Sequence, residues 1–320
     1  MPRRDNLAAM PPRREADALT GEWERHRRAL WGLSYRMTGV AADADDVVQE
    51  TFMRAMRDPP DRDRPVGPWL TKVAVNVARD LLRARKRRGY AGPWLPSPLA
   101  SDETQGKDAP PEATDEGPES RYGLLESTSF AFLLALEKLT PMQRAVLVLR
   151  DVIDYSVRET AEAVGSSEGA VKVAHLRARR AMAGYDGARA EMGGKAREDH
   201  LAMLQRFLAA VGAGDAAAVE ALLADDVVVL SDGGGEFKAA LRPIRGPADA
   251  AAFVIGVARK RPPPGGFAFG VYNGLPGLVV DAGRNGNRWA PTIFTQCALD
   301  GAGRIRAVYI VLTTRKLARM

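Results

Sequence analysis

Charged side chains at helical spacing predict a nucleic-acid contact in the middle of the chain. The segment from Leu139 to Met182 reads LTPMQRAVLVLRDVIDYSVRETAEAVGSSEGAVKVAHLRARRAM. Cations on the exposed face of a helix supply charge for phosphates and forked donors for guanine edges. The alternative is a helical hairpin with a solvated basic face. We favour DNA binding, with contacts expected from Ser167, Glu168, Lys172, His175, Arg177 and Arg180, and with Arg179 on the same face.

Capping and glycine signals predict the elements that position these side chains. Thr140 is an N-cap, and the proline after it suits the first turn of a supporting helix. A second helix spans about Ser156–Val164, and Gly165 ends it because a tight turn needs a positive φ. Ser166 or Ser167 caps the helix that carries the cations. The residues expected to face the hairpin partner are Ala170, Val171 and Ala174.

A helix nearer the N-terminus carries an acidic face. In the run DADDVVQETFMRAMR, Asp43, Asp46 and Glu50 lie three and four residues apart and share one side. Three interpretations stay open for this face. It is a solvated surface, a docking surface for a basic partner, or a cation site, although carboxylates on one straight helix rarely enclose an ion. The buried side is predicted to consist of Val47, Val48, Thr51, Phe52 and Ala55.

A loop and a basic helix follow the acidic helix. Residues 58–68 contain four prolines and cannot continue a helix. The next helix, from about Trp69 to Arg88, ends with five cations among its last six residues. This charge indicates nucleic acid rather than membrane, because no apolar interfacial face accompanies it. The basic stripe is Lys72, Arg79, Arg83 and Lys86, and the core stripe is Leu70, Val73, Ala74, Val77 and Leu81.

The composition limits the classes of function. The chain has 320 residues, a net charge of +6 and a sequence pI of about 9.5, which favours a polyanionic partner. One cysteine, Cys297, excludes an internal disulfide framework and fits a reducing cytosol. The sequence has no zinc-site pattern, no apolar run of membrane length and no secretory signal. We therefore expect a cytoplasmic protein without a metal or cofactor.

Changes in pattern along the chain predict a multidomain protein. The expected parts are a disordered arm (1–19), a helical bundle (20–89), a linker (90–122), the helix-turn-helix (123–186) and a last domain (197–317). In the linker, Trp94 and Leu95 of the GPWLPSP motif are expected to dock on another surface. The last domain is predicted to contain helices, one of them PADAAAFVIGVARK, and several strands, the first at Val227–Ser231. Helices on a curved antiparallel sheet make an α+β cone.

The ordered set of these segments resembles one family. The acidic helix, the basic helix WLTKVAVNVARDLLR, the linker and the helix-turn-helix resemble bacterial RNA polymerase sigma factors of the extracytoplasmic-function group, over about residues 20–185. The resemblance implies two all-α domains, sigma regions 2 and 4, and two partners, core RNA polymerase and promoter DNA. The helix after Gly165 would read the −35 duplex, and the 58–68 loop would capture a flipped base of the −10 nontemplate strand. Core polymerase would be bound by Asp43, Asp46, Gln49 and Glu50, and the −10 element by Asn76, Arg79, Asp80 and Arg83.

The last domain resembles the SnoaL-like, NTF2-like superfamily. Three motifs, DGGGEFKAALRPIRG (232–246), YNGLPGLVV (272–280) and the linker's GPWLPSP, resemble those of the sigma subgroup that carries such a domain. Ser97 stands where that subgroup usually has glutamate, which removes a charge from the motif. The subgroup implies regulation in cis through the linker, without an obligatory anti-sigma partner. The regulatory contacts would come from Trp94, Leu95, Pro96, Asp232, Gly233, Gly234, Gly235, Asn273, Gly274 and Pro276.

Other classes of function explain the sequence less completely. A helix-turn-helix regulator with a small-molecule-binding cone accounts for the last two parts of the chain but not for the paired helices of 42–88. Catalysis in the cone needs a positioned acid or base in an apolar pocket, and no histidine follows His200. Asp232 and Asp281 are the remaining candidates, and we expect no enzyme. The sequence leaves open whether the cone holds a ligand and whether it activates or inhibits.

Overall fold

The computed structural model describes residues 13–58, 65–100, 121–189, 193–261, 265–283 and 289–320. Within these ranges the chain forms eleven α-helices and six β-strands. No helix in the described ranges is both long enough and apolar enough to span a membrane.

Three helices form the first bundle. They are α1 (Arg13–Thr38), α2 (Ala41–Arg57) and α3 (Val66–Arg88). Helix α1 begins at Arg13 rather than near Thr20, so the predicted disordered arm over 1–19 was too long. The reason is local, because the stretch from 13 to 18 consists largely of favourable helix formers and follows the last proline of the N-terminus. Residues 59–64 of the predicted base-capturing loop lie outside the described residues.

Four helices form the second bundle, after a short 3-10 turn at Glu126–Thr128. They are α4 (Phe130–Leu136), α5 (Pro141–Asp151), α6 (Val157–Val164) and α7 (Glu168–Asp186). The predicted caps are present, since Thr140 forms a capping box with Gln143 and Ser167 caps α7. Gly165 ends α6 in the left-handed conformation, with a φ of +65°.

One expectation for α7 was wrong. Ala170 is exposed, whereas Val171 is fully buried and Ala174 is partly buried against the core. Ser167 is the N-cap, so Ala170 falls in the first turn of α7, at a position that this helix leaves open to solvent.

The two bundles share one apolar core rather than forming separate modules. Buried residues of α1 and α3, such as Met37 and Leu70, belong to the same cluster as Leu147 of α5 and Val164 of α6. The side chain of Tyr155 also reaches Thr71 of α3, at 3.2 Å between the two hydroxyl oxygens. The two bundles are therefore held against each other in this structure.

The last domain is a six-stranded sheet with helices packed on it. Its elements are α8 (Gly194–Ala213), α9 (Ala216–Leu222), β1 (Leu223–Asp232), β2 (Ile244–Arg245), α10 (Pro247–Lys260), β3 (Gly266–Tyr272), β4 (Leu275–Asp281), β5 (Thr292–Leu299), β6 (Ile305–Val311) and α11 (Thr314–Leu317). The strand order is β2-β1-β6-β5-β4-β3, and β1 runs parallel to β6. The sheet is thus mixed, which corrects the expectation of an antiparallel sheet. Hydrophobic alternation predicts strands but does not identify the partner of each strand.

A separate apolar cluster joins the last domain to the helical bundles. Leu95 of the linker and Phe130 of α4 are buried together with Phe294 and Tyr309 of strands β5 and β6. The ring centroids of Phe130 and Tyr309 lie 5.4 Å apart, and those of Phe130 and Phe294 lie 5.7 Å apart. Burial of aromatic rings from both sides makes this a stable domain interface.

Candidate nucleic-acid and polymerase surfaces

The exposed face of α7 carries most of the predicted −35 contacts. Lys172, Arg177 and Arg180 are exposed, and Glu168 is exposed in the first turn. The hydroxyl of Ser167 accepts a hydrogen bond from the amide of Ala170 at 3.2 Å, so it begins the helix. Two apolar side chains that the sequence interpretation missed, Val173 and Leu176, are also about half exposed on this helix. Apolar groups among cations suit thymine methyls in a major groove.

His175 is turned towards the helix-turn-helix core. Its Nε2 lies 2.7 Å from a carboxylate oxygen of Asp151 on α5, and Asp151 is itself buried. Arg179 approaches the other oxygen of the same carboxylate at 3.8 Å. We therefore remove His175 from the predicted DNA-contacting set, because its imidazole positions α7 on α5.

The predicted −10 surface on α3 is partly covered by the second bundle. Arg79 donates from Nη1 to the backbone oxygen of Val164 in α6 at 2.8 Å, and to the amide oxygen of Asn76 at 3.2 Å. Burial between the helices lowers the pKa of Arg79. Asp80 and Arg83 form an exposed ion pair at 2.8 Å. Asp80 and Arg83 therefore face solvent, whereas Arg79 contacts α6 and Asn76 accepts its hydrogen bond.

The acidic face of α2 is covered by the C-terminal end of the chain. Arg315 of α11 bridges two carboxylates, with Nη2 at 2.8 Å from Asp43 and 2.5 Å from Asp46. Arg319 lies 2.6 Å from Asp45, and its guanidinium lies 4.9 Å from the centroid of the Trp31 ring. The sequence interpretation missed these two arginines. Their four-residue spacing in TRKLAR, which places both on one side of a helical turn, was the available signal.

The remaining residues of the predicted polymerase surface are not covered by α11. Glu50 pairs with Arg54 along α2 at 2.7 Å, and Gln49 is exposed. The C-terminal end therefore occupies the N-terminal half of this face and leaves the rest open.

A buried carboxylate ties the last domain to the linker. Asp232, at the end of β1, is 0% exposed. It accepts hydrogen bonds from the hydroxyl of Tyr90 at 2.6 Å and from the amide of Leu95 at 2.7 Å, and Lys316 lies 2.5 Å away. A buried charge needs such partners, and burial lowers the pKa of Lys316 to about 8.

A buried amide joins three segments at the other end of the linker. The Nδ2 group of Asn273, in the turn after β3, donates to the hydroxyl of Tyr35 at 2.8 Å and to the backbone oxygen of Thr128 at 2.7 Å. Its Oδ1 accepts from the amide of Leu99 at 2.7 Å. The backbone of Asn273 has a φ of +52°, which asparagine tolerates better than most residues.

Comparisons with known proteins decide the family. The model of Sigma-70 region 2 matches residues 23–88, and that of Sigma-70, region 4 matches residues 129–182. The chain is 35% identical over 245 residues to the ECF RNA polymerase sigma factor SigJ of Mycobacterium tuberculosis, across 76% of this chain and 74% of SigJ. The chain belongs to the extracytoplasmic-function (ECF) sigma factors. It is also 37% identical over 188 residues to SigG of the same organism, across 54% of this chain and 51% of SigG.

The fold agrees with this family over almost the whole chain. The crystal structure of M. tuberculosis SigJ matches with a TM-score of 0.67 and 28% identity, over 93% of this chain and 97% of that chain. The match extends through the last domain, whose sequence motifs resemble the SnoaL-like superfamily. This ECF sigma factor therefore binds core RNA polymerase and directs promoter-specific initiation, and the alternative of a helix-turn-helix regulator is excluded.

Trp94 of the linker packs between α3 of region 2 and α11 of the SnoaL-like domain. The guanidinium of Arg85 lies 4.5 Å from its ring centroid, and the Nζ of Lys316 lies 4.7 Å from it. A Cβ at Gly39 would approach the ring to 2.4 Å, and Gly39 has a φ of +70°. Glycine is required there both by the backbone and by the indole.

Ser97 acts through its hydroxyl and backbone. Its Oγ accepts from the amide of Ala41 at 3.2 Å, at the start of α2, where Val40 provides no side-chain cap. Its backbone oxygen accepts from the hydroxyl of Tyr35 at 2.7 Å. Ser97 is fully buried, so this position in the motif serves as a helix cap in this chain.

The glycine motif of the SnoaL-like domain approaches the linker closely. A Cβ at Gly234 would lie 3.1 Å from the Tyr90 hydroxyl, and one at Gly235 would lie 3.4 Å from Ala91. Gly233 is confined by its own loop, where a Cβ would meet the oxygen of Phe237 at 2.5 Å. The motif is therefore a contact loop rather than a plain hairpin turn.

Two of the predicted regulatory residues lie beside the linker contact. Gly274 follows Asn273 in the β3–β4 turn, and its oxygen accepts from Arg197 of α8 at 3.1 Å. Pro276 is buried in β4 opposite Val271. These two residues shape the turn that presents Asn273.

No group of acidic, cysteine or histidine side chains suited to a metal ion occurs in the part of the chain that the structure describes. Cys297 is buried in β5, and burial raises its pKa to about 12. Asp281, a candidate acid in the cone, is exposed at the end of β4.

Proposed function

We propose that the SnoaL-like domain keeps this sigma factor in a closed state, in which its polymerase-binding face and part of its −10 surface are covered. The observation that carries the proposal is the bridge from Arg315 to Asp43 and Asp46. These carboxylates belong to the set proposed to bind core polymerase, together with Gln49 and Glu50. A carboxylate held by Arg315 is not free to pair with a cation of another protein.

The packing of region 4 on region 2 supports the same proposal. Arg79, a proposed −10 contact, donates to Val164 of α6, and Asn76 accepts from Arg79. DNA reaches Arg79 only after α6 has moved away from α3. Asp80 and Arg83 remain accessible and complete the proposed −10 set.

The distance between promoter elements also requires the regions to separate. The −35 and −10 elements lie about 25 base pairs apart, which is about 85 Å of duplex at 3.4 Å per base pair. A compact body of about 170 residues is only about 40 Å across. Regions 2 and 4 that share one core therefore cannot contact both elements together. We propose that −35 reading by Ser167, Glu168, Lys172, Arg177 and Arg180 follows opening.

The proposed partners are core RNA polymerase and promoter DNA, as −35 duplex and −10 nontemplate strand, in the cytoplasm. The cover over the α2 carboxylates is part of the same chain, at Arg315 and Arg319. We therefore propose that no separate anti-sigma protein is required to hold this factor inactive. The sign of the cis effect in this proposal is inhibitory.

Run-off transcription with core polymerase tests the proposal. Arg315→Ala/Arg319→Ala removes the bridge to α2 and leaves the buried pair of Asp232 and Lys316 in place. At limiting sigma factor, we expect this variant to give more cognate transcript than the intact protein. Arg304→Ala is the matched control, because Arg304 has an exposed ion pair with Asp225, 3.2 Å apart, within the same domain. Equal transcript from all three proteins would reject the inhibitory contact.

Deletion of residues 197–320 tests the inhibitory contact less specifically than the point variants do. It would expose Leu95 and Phe130, which are buried against Phe294 and Tyr309. Newly exposed apolar surface promotes association and misfolding. We expect transcription to change in such a deletion, but the point variants isolate the contact with α2.

A further inference from the structure

A cavity of about 310 Å³ lies where region 2, the linker and region 4 meet. Its walls come from the end of α3, from Tyr90 and Trp94 of the linker, and from the turn between α4 and α5. This volume is at the lower end of the range for small-molecule sites. The function derived above makes no use of this cavity.

Positive charge exceeds negative charge in the cavity wall. Four cations line it, Arg85, Lys86, Lys138 and Arg144, and the one carboxylate among the lining residues is that of Glu137. A single oxygen of Glu137 serves two of them, at 2.6 Å from Arg85 and 2.5 Å from Arg144. In the described part of the chain, no ion pair is formed by Lys86 or Lys138.

The cation deepest in the wall is incompletely paired. Arg144 is 2% exposed, and burial lowers its pKa. Its Nη1 donates to the backbone oxygen of Met37 at 2.9 Å, whereas its Nε has no hydrogen-bond acceptor among the described residues. A buried, incompletely paired cation is costly unless negative charge is supplied from elsewhere.

The N-terminus of α5 adds to the same field. Thr140 and Pro141 line the cavity, and α5 is an eleven-residue helix. The partial positive charge at this helix end favours anions. This helix end alone does not identify a ligand. Like the four cationic side chains, however, it favours an anion.

We propose that this cavity binds the pyrophosphate group of a small anion, free or as part of a nucleotide. Two adjacent phosphates carry the charge and the acceptor oxygens that arginine forks and lysine ammonium groups recognise. The lining rings of Tyr90 and Trp94 and the side chains of Leu82 and Leu139 provide an apolar wall beside the cations. A base attached to the pyrophosphate would contact this wall.

Bound anion would bridge the two sigma regions. Arg85 and Lys86 belong to α3 of region 2, whereas Lys138 and Arg144 belong to region 4. An anion held by both pairs stabilises the closed state, and by linkage the closed state binds the anion more tightly. This consequence depends on the proposed inhibitory closure, but binding of the anion does not.

Titration calorimetry of the full chain, without polymerase, tests the site. The probes are inorganic pyrophosphate and ADP, with sodium sulfate at matched ionic strength as the reference anion. We expect saturable binding of pyrophosphate and ADP to one site, and at most weak binding of sulfate. Tighter binding of ADP would indicate that the base contacts the apolar wall, and equal binding would indicate recognition of the pyrophosphate alone.

Two variants of equal charge separate the site from general attraction. Lys86→Ala/Lys138→Ala removes the two unpaired cations of the cavity, and Arg87→Ala/Arg158→Ala removes two exposed cations outside it. We expect the first to weaken pyrophosphate binding about tenfold or more and the second to change it little. Circular dichroism checks that both fold. Absence of saturable binding by the intact chain, or equal weakening by both variants, would overturn the site. Neither result would alter the transcription test of closure.

Discussion

The carboxylate of Asp232 accepts a hydrogen bond from the backbone amide of Leu95 at 2.7 Å, across 137 positions of sequence. This contact joins the end of strand β1 to the linker between sigma regions 2 and 4. Because Asp232 also faces Lys316, the same carboxylate positions α11, and α11 carries the arginine that covers α2. Docking of the linker and coverage of the proposed polymerase surface on α2 are therefore coupled through one buried side chain.

Replacing Asp232 with asparagine should weaken the contacts of strand β1 with the linker and with α11. Asp232→Asn keeps the shape but leaves Lys316, which is 4% exposed, without its counter-charge. Breaking a buried pair by removing one partner typically costs about 3–5 kcal/mol. We expect a lower midpoint in urea unfolding and faster proteolysis of the linker. Asp225→Asn, at an exposed pair, is the control, and a wild-type midpoint for Asp232→Asn would show that the pair is unimportant.

Asn273 offers a separate test of how the linker is held. Asn273→Gly keeps the backbone free to adopt a φ of +52° but removes the amide that bonds Tyr35, Thr128 and Leu99. Each buried group left without a partner costs about 1–3 kcal/mol. We expect faster hydrogen exchange at the Leu99 amide. Asn273→Ala should be less stable still, because alanine disfavours positive φ. Unchanged exchange at Leu99 in the glycine variant would contradict this role.

We expect any substitution of Gly39 to displace the ring of Trp94. In Gly39→Ala the new Cβ would lie 2.4 Å from the indole ring. We expect a red shift in tryptophan emission as the ring leaves its site. Gly165→Ala is the matched control, since Gly165 has a φ of +65° but no atom near its added Cβ. Both variants strain the backbone by about 1 kcal/mol, but only the first should shift the emission. Identical spectra would mean that Trp94 does not pack as described.

The buried thiol reports on the core of the SnoaL-like domain. Burial raises the pKa of Cys297 from 9.0 to about 12. Because the folded value is the higher one, the stabilising effect is complete below pH 9 and is lost as the pH rises towards 12. We expect Cys297 to react slowly with a thiol reagent at about pH 8–9 in the native protein and rapidly in urea. Rapid reaction of the native protein at about pH 8 would place the thiol at the surface.

The face of α7 makes a prediction for promoter variants. If Arg177 or Arg180 reads a guanine, alanine there should cost about 1–3 kcal/mol at one base position of the −35 element. His175→Ala should instead lower stability, because its imidazole pairs with buried Asp151. Binding to a panel of single-base promoter variants measures the first effect, and urea unfolding measures the second. A uniform loss across the panel would reassign that arginine to phosphate contact.

Local signals in the sequence predicted much of the architecture. Capping residues such as Thr140 and Ser167, and Gly165 at a positive φ, fix the helix-turn-helix because their effects act within one or two turns. The same holds for α10, from Pro247 to Lys260, which the run PADAAAFVIGVARK predicts without reference to any other segment. Elements of this kind are encoded by neighbouring residues, so the sequence alone identifies them.

Relationships between distant segments were not predictable in the same way. The parallel pairing of β1 with β6 and the bridge from Arg315 to Asp43 join residues far apart in sequence. The spacing of Arg315 and Arg319 indicates that they share one side of a helical turn, but it does not identify the carboxylates that they pair with. The single core shared by both bundles was missed for the same reason, because an apolar stripe does not identify the surface that it packs against.

The affinity of fluorescently labelled sigma factor for core polymerase tests the central claim most directly. Exposed ion pairs contribute about 0.2–1 kcal/mol each, so loss of those made by Arg315 and Arg319 should shift the closed–open balance measurably. We predict that Arg315→Ala/Arg319→Ala binds core about threefold to tenfold more tightly than the intact chain at low salt, and that the difference narrows at high salt. Equal or weaker binding by the variant, with Arg304→Ala unchanged, would contradict the account.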